Sequence, residues 1–338
     1  MDELQDYVVD VESALGVRLP VEDGMNEIYN TIYSTLAERF GVDMVETEVN
    51  FNSFSGEFGE DMLADALQYF SPIAVSTSSR LYRLLQEADY GSEDFDVIFT
   101  ELKNYTDKIL EAKDSAALCE TILAIGFFIA GSTAAIVAVA TTTLTGGALA
   151  AVWISSLLSL GAALVTFIMS VFSSDRSMTS LILNDSNKDA VIAQRYENEG
   201  KFTMLPGFFE NDQLCIPRRQ IISATKDGKT VEQEYAYLGI ANMWNSSAFE
   251  GTEGALRFSF YNSKPGDIDI MYACPWLRDN VTGIDFSKGR ELNASFRHLI
   301  DQRVCSMRLG SESSVVKGYS TVYKNRGASM RAITRFSF

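Results

Sequence analysis

The chain has 338 residues and a formal charge of −17, which is too long for one ordinary core of about 100–200 residues and too acidic to coat nucleic acid, a task that needs a Lys/Arg surplus on at least one face. With 46% hydrophobic and 22% charged residues it is a folding chain rather than a disordered one. A single histidine and four scattered cysteines, Cys119, Cys215, Cys274 and Cys305, exclude His-based triads, HExxH zinc sites and a disulfide framework. The expectation is therefore a protein with no catalytic residues, no metal and no cofactor.

The charge is unevenly shared. Residues 1–175 carry 27 acids and 7 bases, net −20, whereas residues 176–338 carry 18 acids and 21 bases, net +3. Such asymmetry predicts domains with different roles. The opening Met1–Asp6 is acidic and lacks the basic and apolar regions of a secretory leader, so the expected product is soluble, either cytoplasmic or released without a leader.

Residues 1–114 read as an acidic helical domain. Apolar residues recur at helical spacing in Tyr7, Val8, Val11 and Leu15, in Ile28, Ile32, Leu36 and Phe40, and in Leu63, Leu67 and Phe70. Leu81, Leu84 and Leu85, then Val97, Ile98, Leu102, Tyr105 and Ile109, continue the pattern, and Pro20, Pro72, Gly24, Gly41 and Gly91 mark breaks. The acidic outer faces read as solvated surface, with a pH-sensitive carboxylate shell as the sharper alternative.

Residues 115–175 form a second region. From Thr121 to Ser174, 54 consecutive residues contain no Asp, Glu, Lys or Arg. Two apolar arms, Ile122–Ala140 and Ala148–Phe172, flank a Thr-rich link ending in Gly146-Gly147, a strong turn signal. Each arm is about 20 residues or more, enough at about 1.5 Å per residue to cross a bilayer core of about 30 Å. This predicts a hydrophobic helical hairpin, with Phe127, Phe128, Ala151, Trp153, Leu158 and Phe167 as membrane-insertion residues. Small residues such as Gly126, Gly131, Ala134, Ala135, Gly161 and Ala162 suit close helix packing in lipid. The flanking charges, Glu120 and Asp175, are acidic and lack the Lys/Arg excess that fixes a permanent span. The alternatives are a permanent anchor and a central helix pair buried in a soluble bundle.

Residues 176–338 change texture to short apolar runs between turn residues: Leu181–Leu183, Ala190–Tyr196, Gln220–Ala224, Tyr235–Ala241, Ala255–Tyr261, Ile268–Ala273, Tyr319–Tyr323 and Arg331–Phe338. Many short strands predict a β-sandwich or barrel. Glu291–Met307, with Leu292, Phe296, Leu299, Ile300 and Val304 at helical spacing, predicts one flanking helix. The overall class is α+β.

Three segments of this half occur in a telling order: Gly251-Thr252-Glu253-Gly254-Ala255-Leu256-Arg257-Phe258, Gly266–Trp276 with its strand ending in Pro275, and Gly318-Tyr319-Ser320 followed by Lys324-Asn325-Arg326-Gly327. The ordered set resembles the actinoporins, sea anemone cytolysins, and their relatives the fungal fruit-body lectins, over about residues 177–338. The resemblance implies a sandwich that docks on lipid headgroups or glycans and releases the segment before its first strand to line a pore. Here that segment is the charge-free stretch. The implied function is a pore-forming cytolysin, with membrane lipids and further copies of itself as partners, acting at a target membrane. The alternative is a lectin-like or lipid-binding protein with a purely structural helical half. Headgroup binding falls to Tyr272, Pro275, Trp276 and Phe296, and Trp276, an amphipathic ring at a strand end, suits an interface. After Pro275 there is one Trp, and Phe296 and Ile300 fall where the family has tyrosines, so the choice of headgroup or glycan stays open.

Overall fold

The computed structural model describes residues 2–20, 31–32, 34–36, 38–39, 73–87, 94–113, 127–128, 177–205, 215–216, 218–226, 229–245, 251–260, 266–275, 278–309, 317–322 and 329–337. In chain order the elements are α1 (Asp2–Leu15), β1 (Ile73–Ser76), α2 (Arg80–Glu87), α3 (Asp94–Leu110), β2 (Phe127–Phe128), β3 (Ser177–Asp185), β4 (Ala190–Glu199), β5 (Lys201–Leu205) and β6 (Cys215–Ile216). They continue as β7 (Gln220–Lys226), β8 (Lys229–Trp244), β9 (Thr252–Phe260), β10 (Ile268–Cys274), β11 (Val281–Phe286), α4 (Leu292–Ile300), β12 (Ser306–Leu309), β13 (Lys317–Val322) and β14 (Ser329–Ser337). The fold is mixed α+β, mostly sheet, and divides into two compact units: Met1–Ser79, Glu101–Phe172 and Gln220–Tyr235, and Arg80–Thr100, Ser173–Arg219 and Ala236–Phe338.

In the first unit, α1 buries Val11 and Leu15, followed by Leu19, on the face its spacing predicts. Gly16 ends the helix at φ +75° and returns its N–H to the Glu12 carbonyl at 2.8 Å, a left-handed cap that glycine adopts without strain. Ile32 and Leu36, also spaced as a helix, are fully buried. The Arg39 guanidinium donates to the carbonyl of Leu110 at 3.1 Å and to that of Ala14. One cation thus serves the last turns of two helices, where unpaired carbonyls gather.

Strands intrude on regions whose pattern predicts only helix. β1 lies within residues 1–114, where Pro72 interrupts helical continuity and the β-branched Ile73 and Val75 favour an extended chain. It pairs antiparallel with β2, Ala74 opposite Phe128 and Val75 opposite Phe127. Phe127 and Phe128 are therefore strand residues here, a correction to the first apolar arm as an uninterrupted helix. Among the described residues no helix is long and apolar enough to cross a membrane. Ala151, Trp153, Leu158 and Phe167, and the link between the arms, lie outside the described residues.

The second unit carries the sandwich-like sheets that the short strands predict. One sheet runs β12-β13-β14-β3-β8, with β5 also on β8, and the other runs β11-β10-β9-β4-β6. Among the described residues of these sheets, only the β14–β3 pair, Ile333 opposite Leu181, is parallel. Between the sheets, Phe336 meets Phe258 and Phe260 at ring-centroid distances of 5.1 and 5.0 Å. A hydroxyl chain also stitches the two layers: Ser180 Oγ donates to Tyr272 Oη at 2.8 Å, Tyr272 bonds Thr334 at 2.7 Å, Thr334 bonds Ser320 at 3.1 Å, and Ser320 bonds Thr282 at 2.7 Å.

Helices cover both outer faces of the second unit. Against the first sheet, Arg331 pairs with Asp96 at 2.6 Å and lies over the Phe99 ring, and Arg335 donates to the Leu85 carbonyl at 3.1 Å. Against the second, α4 sets Leu292, Phe296 and Leu299 on Ala255, Met271, Ala273 and Val281. Burying each large apolar side chain stabilises the fold by roughly 1.5–3 kcal/mol. The helix is shorter than its spacing predicts, because Arg303 turns left-handed at φ +50° and Ser306–Leu309 leave to pair with β13.

Candidate functional site

Strand alternation decides what each residue of β10 faces. Tyr272 and Cys274 point into the sandwich, while Met271 and Ala273 point toward α4. Tyr272 is completely buried, and burial pushes its hydroxyl up to about 12. This corrects its assignment to headgroup binding: it is a core tyrosine with its phenol satisfied by Ser180 and Thr334. Phe296 is corrected too, since only 4% of it is exposed and its ring packs on Tyr196 at 5.3 Å. Pro275 remains half-buried at the strand end, and Trp276 lies outside the described residues.

Pro275 belongs to a cleft of about 350 Å³ at the end of the second sheet, beside the C-terminal end of α4. Its apolar lining comes from Ala273, Pro275, Val281 and Ile300, and its polar lining from Glu253, Arg278, Asp279 and Arg303, with the Cys305 thiol among them. Local structure brings these residues together. β9 delivers Glu253 opposite Ala273, and β11 delivers Val281 opposite the same residue. Gly251 makes this close approach possible, because a Cβ there would sit 2.3 Å from the Cys274 carbonyl oxygen and 2.8 Å from Pro275 Cα. Arg303 reaches the cleft from the left-handed turn after α4, where its N–H bonds the Ile300 carbonyl at 3.2 Å.

The cleft is electrostatically mixed. Burial, then the charge of Glu199, raises the Glu253 carboxyl above its ordinary range, against the lowering effects of a hydrogen bond from Asn198 and the charge of Arg278. Asn198 Nδ2 donates to Glu253 at 3.0 Å, and the Tyr196 hydroxyl donates to Asn198 Oδ1 at 3.1 Å. Arg278 and Arg303 are exposed and line the cleft. Such a surface can bind an oxyanion at the arginines and a hydrogen-bond donor at the carboxylates.

Behind the cleft, Cys274 is buried, and burial and then the Glu253 charge push its thiol up to about 12, which leaves it protonated and unreactive. Among the described residues no group of His, Cys, Asp or Glu is placed to hold a metal. Glu253, Arg278, Asp279 and Arg303 were not among the residues singled out from sequence. The available signal was weak: two adjacent charges, Arg278 and Asp279, three and four residues after a strand-ending proline, and one acid inside Gly251-Thr252-Glu253-Gly254.

No protein-family model matches the chain, and no curated protein matches it. Solved structures with a similar course of chain include the lipid binding protein Nakanori, with a TM-score of 0.32 and 10% identity, covering 48% of this chain and 71% of that one. The wild-type Xerocomus chrysenteron lectin XCL gives a TM-score of 0.27 at 12% identity, over 48% of this chain and 99% of that one. IP-1A from Alcaligenes faecalis gives 0.26 at 16% identity, over 50% of this chain and 96% of that one. At such TM-scores these likenesses say nothing of what this chain binds.

Proposed function

We propose that the chain is a non-enzymatic pore-forming protein that docks on membrane lipid through its sandwich and inserts its charge-free segment as an oligomer. The observation that carries this reading is the run of 54 residues, Thr121–Ser174, without a single charge. Exposing two apolar arms to water would cost tens of kcal/mol, at about 25 cal/mol per Å², and lipid contact removes that cost. As helices the arms satisfy their own backbone groups, and several copies must associate because one hairpin cannot enclose water.

In the described state Phe127 and Phe128 are paired with β1. An open sheet edge cannot persist in hydrocarbon, so insertion requires these residues to leave β1. Directly opposed residues in an antiparallel pair have Cα atoms about 4.5–5.5 Å apart, within the range of about 4.4–6.8 Å that a disulfide spans. A variant carrying Ala74→Cys and Phe128→Cys therefore tests the reading. Reduced, it is expected to release dye from vesicles like the parent chain; oxidised, to bind vesicles without release; and reductant is expected to restore leakage. Full leakage from the oxidised variant, with single-cysteine variants as controls, would sink the reading.

The mixed charge of the cleft favours a second reading, a lectin-like binding protein whose other unit is only structural, because carboxylates and guanidinium groups also bind sugar hydroxyls. Sugar-inhibited binding without dye release would select it.

A further inference from the structure

We propose that the end of the sandwich nearest Pro275 is a separable layer, which opens locally while the rest of the sandwich stays closed, and that its opening reshapes the cleft beside α4.

The sandwich interior is built in successive layers. Phe336 meets Phe258 and Phe260 in one, and Tyr272 bonds Ser180 and Thr334 in the next. One step further along the strands, Met330 is opposite Met178, and Met178 is opposite Met243, in the first sheet. In the second sheet the same step sets Thr252 opposite Cys274. Asn280 joins that row, because it precedes Val281, which is opposite Ala273. Alternation turns Asn280 the same way as Thr282, whose hydroxyl bonds Ser320 inside the sandwich. Met243 spans the gap between the sheets, since a Cβ on Gly254 would sit 2.9 Å from its methyl carbon. Cys274, the least buried of these six side chains, is 3% exposed.

The chemistry of this layer differs from that of its neighbours. Every hydroxyl of the chain from Ser180 to Thr282 has a partner. Thr252 Oγ1 and both polar atoms of the Asn280 amide have none, although the two residues are buried. A buried polar group without a partner carries its desolvation cost with nothing to offset it, and contact with water restores the missing hydrogen bonds. The facing methionines do not supply them, because a thioether is only a weak acceptor, and their flexible side chains adapt to more than one geometry. The layer is therefore the one that opens at least cost. Glu253, Ala273 and Val281 line the cleft and are the chain neighbours of Thr252, Cys274 and Asn280, so parting the layer moves three of its walls.

The Cys274 thiol, unreactive while buried, reports the opening. The test is labelling of Cys274 by a thiol reagent under native conditions, in the full chain with Cys119, Cys215 and Cys305 replaced by alanine. Its rate is expected to change little with urea below the unfolding transition, because a local opening exposes little surface. Thr252→Val with Asn280→Leu is expected to slow labelling about tenfold and to raise the urea midpoint. Thr334→Val, which removes a hydroxyl bonded to Tyr272 and Ser320, is expected to lower it. Labelling that follows the full urea slope of global unfolding would overturn the proposal, and this readout decides the matter even where the double variant does not fold. Unchanged or faster labelling in a folded double variant, or a lower midpoint for Thr252→Val alone, would also overturn it. In a chain that keeps Cys305 as well, a bulky reagent is expected to reach that cleft thiol more slowly in the double variant; an unchanged Cys305 rate would overturn the link to the cleft.

Discussion

In residues 176–338 charged residues are interspersed with apolar ones, and among the described residues the charges taken inside, Arg257 and Asp269, are paired. Arg257 meets Asp269 at 2.6 and 2.9 Å and also bonds Gln194 and the Arg290 carbonyl. Residues 1–175 instead segregate the two kinds: 27 acids lie outside or beside a run of 54 residues that has no charge at all. The first arrangement fixes one core, because a buried pair or hydroxyl chain is satisfied in a single geometry. The second leaves an uncharged segment that hydrocarbon can accept without stranding an ion. On the reading proposed above, docking falls to the sandwich and transfer into lipid to the charge-free segment.

The largest expected effect comes from breaking the rigid side of this contrast. Arg257→Met leaves Asp269, which is completely buried, without its partner and should cost about 3–5 kcal/mol, read as the shift in a urea midpoint. Arg257→Met combined with Asp269→Leu should recover most of the loss, because it removes the stranded charge. A smaller effect is expected from Tyr272→Phe, which takes the hydroxyl from between Ser180 and Thr334. The expected cost is about 1–3 kcal/mol with vesicle binding unchanged. Lost binding in a folded Tyr272→Phe protein would return that residue to the headgroup site.

The smallest effect concerns Glu253. Its carboxyl is raised in the folded chain, so the folded state holds a proton more readily than the unfolded state. Its contribution is therefore absent at low pH and destabilising as pH climbs through the raised range. Glu253→Gln should lift Tm slightly at about pH 7.5 and lose that advantage toward about pH 4. An identical gain at both pH values would point to packing rather than charge.

Strand segmentation in the second unit was legible because turn residues separate short apolar runs: Leu181–Leu183 and Ile268–Ala273 fall in strands, as does Arg331–Phe338 as far as Ser337. The faces of those strands were not. β10 is buried from Ile268 to Cys274, covered by a sheet on one side and α4 on the other, so no polar alternation revealed that Tyr272 points inward. β1 and β2, four and two residues long, are too short for periodicity to separate from helix. The cleft was hidden for another reason. Glu253, Arg278 and Arg303 are distant in sequence and meet only through the β9–β10 register and the left-handed turn at Arg303, which no local pattern encodes.

The claim that the charge-free segment enters lipid is tested most directly by its depth. Leu158→Cys, in a chain whose native cysteines are replaced by serine or alanine, accepts an environment-sensitive dye at the middle of the second arm. With vesicles that the protein binds and permeabilises, the dye should shift to the blue and be quenched by nitroxides placed deep in the acyl chains. A dye that stays at its aqueous emission while the protein is bound and dye release proceeds would contradict the account.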